Sequence, residues 1–152
     1  MNDMLLVVVL AGRRAALPAV AVNAVVELSD VTPVPRAAAH IVGLAALRSR
    51  PLTVIDCGAA LGIGPESGAG ADWRTRRAVV VEHDGHLYGL LVDAADIIVA
   101  AQAEPAPLGA DPGPGWERVA VGRVETEAGA LPLLDIAALI VGPDQALAAQ
   151  AA

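Results

Sequence analysis

The chain contains no phenylalanine, one tyrosine and two tryptophans among 152 residues. A core without large rings has to be aliphatic, filled with Val, Leu, Ile and Ala. Such side chains suit closely packed strands and small barrels. Cysteine is nearly absent as well. The single Cys57 excludes an internal disulfide and a cysteine-ligated zinc. Its setting, Val54-Ile55-Asp56-Cys57, reads as an inert core thiol, and one unpaired thiol fits a reducing cytoplasm. Positive charge is scarce: 10 basic residues stand against 17 acidic ones, for a net charge of -7. That balance argues against nucleic acid and against anionic membrane surfaces, which both need a basic face. It leaves a protein partner open. Apolar runs long enough to span a bilayer are missing too. Met4–Ala11 is apolar, but Asp3 precedes it and the pair Arg13-Arg14 follows it. A secretory signal carries its positive charge first, so no targeting segment is read here.

What is present is aliphatic patterning broken by turns. Hydrophobic residues make up 55% of the chain, which excludes disorder. Met4–Gly12 predicts a buried strand ending in a turn at Gly12-Arg13-Arg14. Ala15–Leu28 predicts one or two strands with a bend at Pro18. Pro33 and Pro35 mark a loop, and Arg36–Val42 predicts a single helical turn stopped by Gly43. Leu44–Leu47 and Leu52–Cys57 read as strands on either side of a basic island, Arg48-Ser49-Arg50. Gly58–Gly64 closes the first half, and Pro65–Arg77 reads as a surface loop. Ala78–Asp93 carries two β-rich runs around Asp84-Gly85, a hairpin with a type I′ turn. Asp96–Ala100 adds a strand, and Gln102–Gly115 is a Pro/Gly-rich loop. Arg118–Glu125 and Ala130–Ile136 form a second hairpin around Thr126–Gly129. Ile136–Val141 turns helical, and residues 143–152 form an Ala-rich tail of high helix propensity. Many short strands with frequent turns predict a mostly β barrel or sandwich.

Few residues point to chemistry. Asp56 and Asp93 are acids, but each follows a β-rich run, where Asp accepts backbone N–H bonds. They are expected to lie apart. His83 and His86 flank the Asp84-Gly85 turn and make at most a metal half-site. His40 reads as a surface residue at a helix end. The run Gly62–Gly68 lacks the Gly-Lys-Ser/Thr ending of a phosphate loop. No nucleophile elbow and no Cys/His metal spacing is present. The sequence describes a binding module without catalytic residues, metal or cofactor. A small-barrel enzyme or ligand-binding domain built on Asp56, Asp93 and the histidines would need those groups to converge.

Four stretches, in order, resemble the CheW-like domain family, the adaptor proteins of bacterial chemosensory arrays. They are AALPAVAVNAVVELSDVTPVP (Ala15–Pro35), HIVGLAALRSRPLTVIDCGAALG (His40–Gly62), HLYGLLVDAADIIV (His86–Val99) and RVAVGRVETEAGALPLLDIAALI (Arg118–Ile140). The likeness spans Met4 to Val141. Where the family's pattern has Asn, Gly and Leu, this chain has Ala46, Ser49 and Cys57. The resemblance implies two interlocked five-stranded SH3-like β-barrels with a hydrophobic groove between them. It makes residues 4–142 a single domain, with short helices at connections and the C-terminus. Chain order places Leu28–Val99 mainly in one lobe and the two ends in the other.

The resemblance also implies the partners: chemoreceptor cytoplasmic tips and the regulatory domain of the histidine kinase CheA. No nucleic acid and no membrane insertion are expected. By residue it implies a partner surface at Arg48, Val25 and Glu27, shaped by Gly43 and Gly89. A guanidinium at Arg48 can fork onto a carboxylate; a solvated turn is the plainer reading. Val25 and Glu27 fit an apolar anchor with a rim charge, or an ordinary half-buried strand. The two glycines permit close backbone approach. The setting is cytoplasmic, at receptor arrays. An adaptor of a pathway for surface motility or gene control carries the same pattern.

Overall fold

The computed structural model describes residues 3–10, 12–62, 73–109 and 115–142. Ten strands form: β1 (Met4–Leu10), β2 (Arg13–Pro18), β3 (Val22–Val26), β4 (Ile41–Leu47), β5 (Arg50–Asp56), β6 (Arg77–His83), β7 (His86–Val92), β8 (Ala94–Ala100), β9 (Ala120–Thr126) and β10 (Gly129–Leu134). They make two five-stranded sheets, ordered β8-β1-β2-β10-β9 and β3-β6-β7-β5-β4. Each sheet curls into a small SH3-like barrel. Edge meets edge through backbone bonds: Thr32 and Leu44 exchange two, at 2.8 Å each. In the other barrel Ala106 and Arg123 do the same, at 2.8 and 2.7 Å.

The two barrels repeat one plan. In each, an edge strand is followed by an antiparallel hairpin, β1–β2 or β6–β7. A strand parallel to the hairpin's second arm comes next, then that strand's own hairpin partner. One barrel uses the consecutive strands β3–β7. The other uses β8–β10 plus the N-terminal hairpin, so its chain order is permuted. The match extends to register. The pair Leu44–Thr53 corresponds to Arg123–Pro132, Ala46–Pro51 to Glu125–Ala130, and both hairpins shift register beside a glycine, Gly43 or Gly122.

The sequence explains this packing. β1, β6 and β7 are apolar at nearly every position because both of their faces are buried. One face fills a barrel: Leu5, Val7, Val99 and Leu131 in one, Leu52, Val80 and Leu87 in the other. The opposite faces meet between the barrels, where Leu6, Val8, Leu10, Leu17, Val79, Val81, Leu90 and Val92 form the largest core. Each such Leu or Val contributes about 1.5–3 kcal/mol on burial. The barrels are therefore fused through their own walls.

The structure departs from the sequence reading in several places, among them Arg118 and Val119, which close a helical turn (Trp116–Val119) before β9 begins at Ala120. Arg36–Val42 is not helical: Arg36 takes φ 64 in a turn, and Ile41 and Val42 open β4. Those β-branched residues are claimed by strand β5, with Ile41 opposite Ile55. The lobe boundaries also move. β3 belongs with β4–β7, because Val25 pairs with Val79, and β8 belongs with β1, because Leu5 pairs with Val99. Pro18 ends β2, and a 3-10 turn at Ala19–Ala21 carries the chain across to the other barrel. Finally, Arg13 and Arg14 start β2 rather than sitting in the turn. The hairpin at Asp84-Gly85 forms as read, with φ of 51 and 80. Residues 136–142 are helical, with Asp135 accepting from the Ala137 N–H at 3.1 Å. The loop read at Pro65–Arg77 as far as residue 72, residues 110–114 of the Pro/Gly-rich loop and the tail 143–152 lie outside the described residues.

Candidate partner-binding surface

The basic island is the turn of the β4–β5 hairpin. Leu47 pairs with Arg50, leaving Arg48 and Ser49 as a two-residue loop with φ of 52 and 70. Two positive φ values define the primed turn that matches strand twist. Arg48 is exposed at its tip and makes no hydrogen bond or ion pair among the described residues. Arg50 lies 3.9 Å from Glu82, both about half exposed, so the pair adds little stability. Because β5 runs parallel to β7, with Leu52 beside Leu87, the Asp84-Gly85 turn lies at the same end of the barrel.

Two clefts open beside this hairpin. The smaller, about 180 Å³, has an apolar floor of Ala24, Val26, Leu47, Val80 and Leu87 and a polar rim of Asn23, Arg48 and Arg50. The larger, about 560 Å³, runs between Val26–Asp30 and Leu44–Leu47. Glu27 borders it and pairs with Arg77 at 3.1 Å, with both side chains more than half exposed. A pair so wet exchanges easily for a partner's charge. Arg48 and Glu27 thus come to one surface, joined by Val26 and Leu47. Val25, 40% exposed, faces the other way, sharing its side of the sheet with Val79. Gly43 and Gly89 are buried and offer no side chain to a partner. A Cβ on Gly43 would run into the Thr32 carbonyl that closes the barrel; its carbon is 2.8 Å away. A Cβ on Gly89 would stand 3.1 Å from a Leu52 methyl.

Sequence reasoning missed two surface features. Leu44, 43% exposed, walls the larger cleft. Val20, 95% exposed, stands in the turn between the barrels. With Met4, Leu5, Pro18, Ala19 and Leu133 it lines an apolar groove of about 620 Å³. Pro18 was the available signal, since a strand that must stop there leaves its next apolar residues without a sheet.

The acids and histidines do not form a catalytic centre. Asp56 and Asp93 are closer than expected, because both bind Arg76: Nη1 is 3.3 Å from Asp56 Oδ1 and Nε is 3.6 Å from Asp93 Oδ1. Asp56 is sealed in the protein and caps α1 (Cys57–Ala60) through the N–H groups of Gly58 and Ala59. His40 is buried rather than at the surface, with Nε2 2.8 Å from the Ile140 carbonyl. Its chain enters β4 just where the C-terminal helix packs, which no local pattern announces. His83 and His86 face each other across the exposed turn, with His83 near Asp84 at 3.6 Å. No group of three metal-ligating side chains occurs among the described residues. No helix among them is long and apolar enough to cross a membrane.

Two fused barrels carry open clefts at exposed hairpins, and the buried acid serves a helix cap and an ion pair. Comparison with known proteins identifies this architecture. The CheW-like domain matches residues 4–143. A similar solved structure is that of the scaffolding protein TtCheW from Thermoanaerobacter tengcongensis. It superposes with a TM-score of 0.73 at 23% identity, covering 90% of this chain and 86% of that one. No curated protein matches the sequence significantly. The chain belongs to the CheW-like domain family. It is a non-enzymatic adaptor of the CheW-like type.

Proposed function

We propose that this adaptor couples the cytoplasmic tips of chemoreceptors to the regulatory domain of the histidine kinase CheA, in the cytoplasm at receptor arrays. The observation that carries the reading is the family match across both barrels, together with an unpaired arginine at the lip of an apolar cleft. Arg48 offers a forked donor to a partner carboxylate, and the floor beneath it takes an apolar side chain. Glu27 supplies a rim charge, and Val25 an apolar contact on the other face of β3. Gly43 and Gly89 act through shape, holding the barrel closed beneath the surface. With two separate faces the molecule can hold two partners at once. Receptor state then controls the kinase through any difference in the contacts that each state makes.

The test is titration of the chain with a receptor tip and, separately, with the kinase regulatory domain. Both are expected to bind. Arg48→Ala and Val25→Glu each lower affinity for one partner, by roughly tenfold for a charge-assisted bond or a central apolar contact. Binding to neither partner overturns the coupling role. Binding that survives both substitutions overturns the surface assignment.

A further inference from the structure

One dipeptide of the chain sets a nucleophile beside an electrophile with no side chain to keep them apart. Among the aspartates, Asp84 alone is followed by glycine. After every other aspartate the next residue carries a Cβ, which crowds the approach of its backbone nitrogen to the carboxyl group. Asp84 and Gly85 form the two-residue tip of the β6–β7 hairpin, with φ of 51 and 80. The ladder stops at the His83–His86 pair, so the Gly85 N–H lies outside it. The Asp84 side chain is 88% exposed, and His83 Nε2 stands 3.6 Å from Oδ2. A contact so wet does not tie the carboxyl down. A Cβ on Gly85 would meet nothing within 4 Å, so the tip has room to turn.

We propose that Asp84-Gly85 is a self-modifying site, at which Asp84 converts through a cyclic imide to isoaspartate. The Gly85 backbone nitrogen attacks Cγ of the protonated Asp84 carboxyl. A C–N bond forms, a C–O bond breaks, and the hydroxyl leaves with the nitrogen's proton as water. Water then reopens the imide. Attack at the side-chain carbonyl restores aspartate. Attack at the main-chain carbonyl frees the α-carboxyl and routes the backbone through the side chain. No oxidant, cofactor or second protein is consumed. The ring closes during excursions of the tip, and an exposed loop end opens at little cost. The product keeps its negative charge and gains one backbone carbon. A two-residue primed turn has no place for that carbon, so the tip re-forms as a longer loop. Because β5 runs parallel to β7, this is also the barrel end that carries Arg48, and the mark lies beside the candidate partner surface. The proposal rests on the hairpin and not on the receptor or kinase reading.

The test is to age the folded full chain for weeks in mildly acidic buffer and to digest samples for mass spectrometry. The peptide holding residue 84 is expected to split into two species of equal mass, the new one assigned to isoaspartate by electron-based fragmentation. A transient species lighter by one water precedes it. Gly85→Ala should slow the conversion roughly tenfold, since its Cβ hinders the attacking nitrogen. Asp84→Asn leaves Gly85 in place and reaches the same imide by losing ammonia, so it should convert severalfold faster. A wild-type chain that still holds only aspartate at residue 84 overturns the proposal. So does isoaspartate spread equally over the other aspartates, or an Asp84→Asn protein that converts no faster. The wild-type and Asp84→Asn series decide the matter even where Gly85→Ala disturbs the turn.

Discussion

Removing the Arg76 side chain should destabilise the protein far more than its place before a strand suggests. Asp56 is 1% exposed, and Oδ1 accepts from Gly58, from Ala59 and from Arg76. The other oxygen, Oδ2, has no hydrogen-bond partner. Arg76 is the one cation at this carboxylate among the described residues, and its own side chain is only 18% exposed. Breaking a buried pair from one side leaves an uncompensated charge, at a cost of about 3–5 kcal/mol. Arg76 also holds Asp93, whose N–H donates to the Val9 carbonyl of the other barrel at 2.8 Å. Asp93 is 43% exposed and adds little to the energy. Arg76→Met keeps the stem volume and deletes the charge. In urea it should lower stability by about 3–5 kcal/mol, or Tm by roughly 10 °C. Asp56→Asn keeps a cap acceptor and removes the carboxylate. In that background the same Arg76→Met change should cost about 1 kcal/mol, since no buried anion is left behind. An Arg76→Met penalty below about 1 kcal/mol, or one that is the same in the Asp56→Asn background, would refute the reasoning.

The same geometry decides the outcome of other substitutions. Gly43→Ala should cost roughly 2–4 kcal/mol in urea, because its Cβ meets the Thr32 backbone and threatens two barrel-closing bonds. Gly89→Ala should cost under about 1.5 kcal/mol: its nearest neighbour is a Leu52 methyl, and the equivalent position in the other barrel is the buried Ala16. Burial, then the charge of Asp56, pushes the Cys57 thiol far up, so the folded chain keeps a proton that the unfolded chain releases above about pH 8.5. Stability is full below that pH and falls above it by about 1.4 kcal/mol per unit. With no lysine and one tyrosine in the sequence, Cys57→Ala should visibly flatten that decline in urea titrations at rising pH. Ser49→Gly should raise stability by about 0.5 kcal/mol in the same urea assay, because Ser49 holds φ 70 and glycine meets that demand freely.

Local chemistry made the strands legible. The doubly buried β1, β6 and β7 appear as unbroken aliphatic runs, and Asp84-Gly85 marks its turn by backbone demand alone. The Asp56 cap was readable for the same reason, since a short carboxylate before a new segment serves nearby N–H groups. What failed was non-local. The sheet to which β3 and β8 belong depends on partners far along the chain, as do the burial of His40 and the role of Arg76. Arg76 lies next to Arg77 in a polar stretch, and nothing nearby separates the buried guanidinium from the exposed one. Of the surface residues, Arg48 was legible as the tip of a turn. Val25 was legible as half-exposed, but the side of β3 it faces follows from its register with Val79.

The two equivalent hairpins separate what the fold fixes from what it leaves open. Where the fold constrains a position, both copies hold the same kind of residue. Gly43 and Gly122 allow a neighbouring carbonyl to close each barrel. Asp56 and Asp135 each accept from the N–H two residues on. Leu52 and Leu131 each fill a barrel interior. At the turns the fold asks only for a bend, and it accepts two solutions. Positive φ falls on Arg48 and Ser49 in one hairpin and on Gly129 in the other, where Thr126 ties the loop through its hydroxyl. A tip in water tolerates either sign of charge at little cost to stability. The repeated plan therefore supplies two rigid mounts, and the residues that differ between them at the turns are the exposed ones. Changes at Arg48 should accordingly shift affinity while leaving unfolding unaltered, and changes at Asp56 should do the reverse.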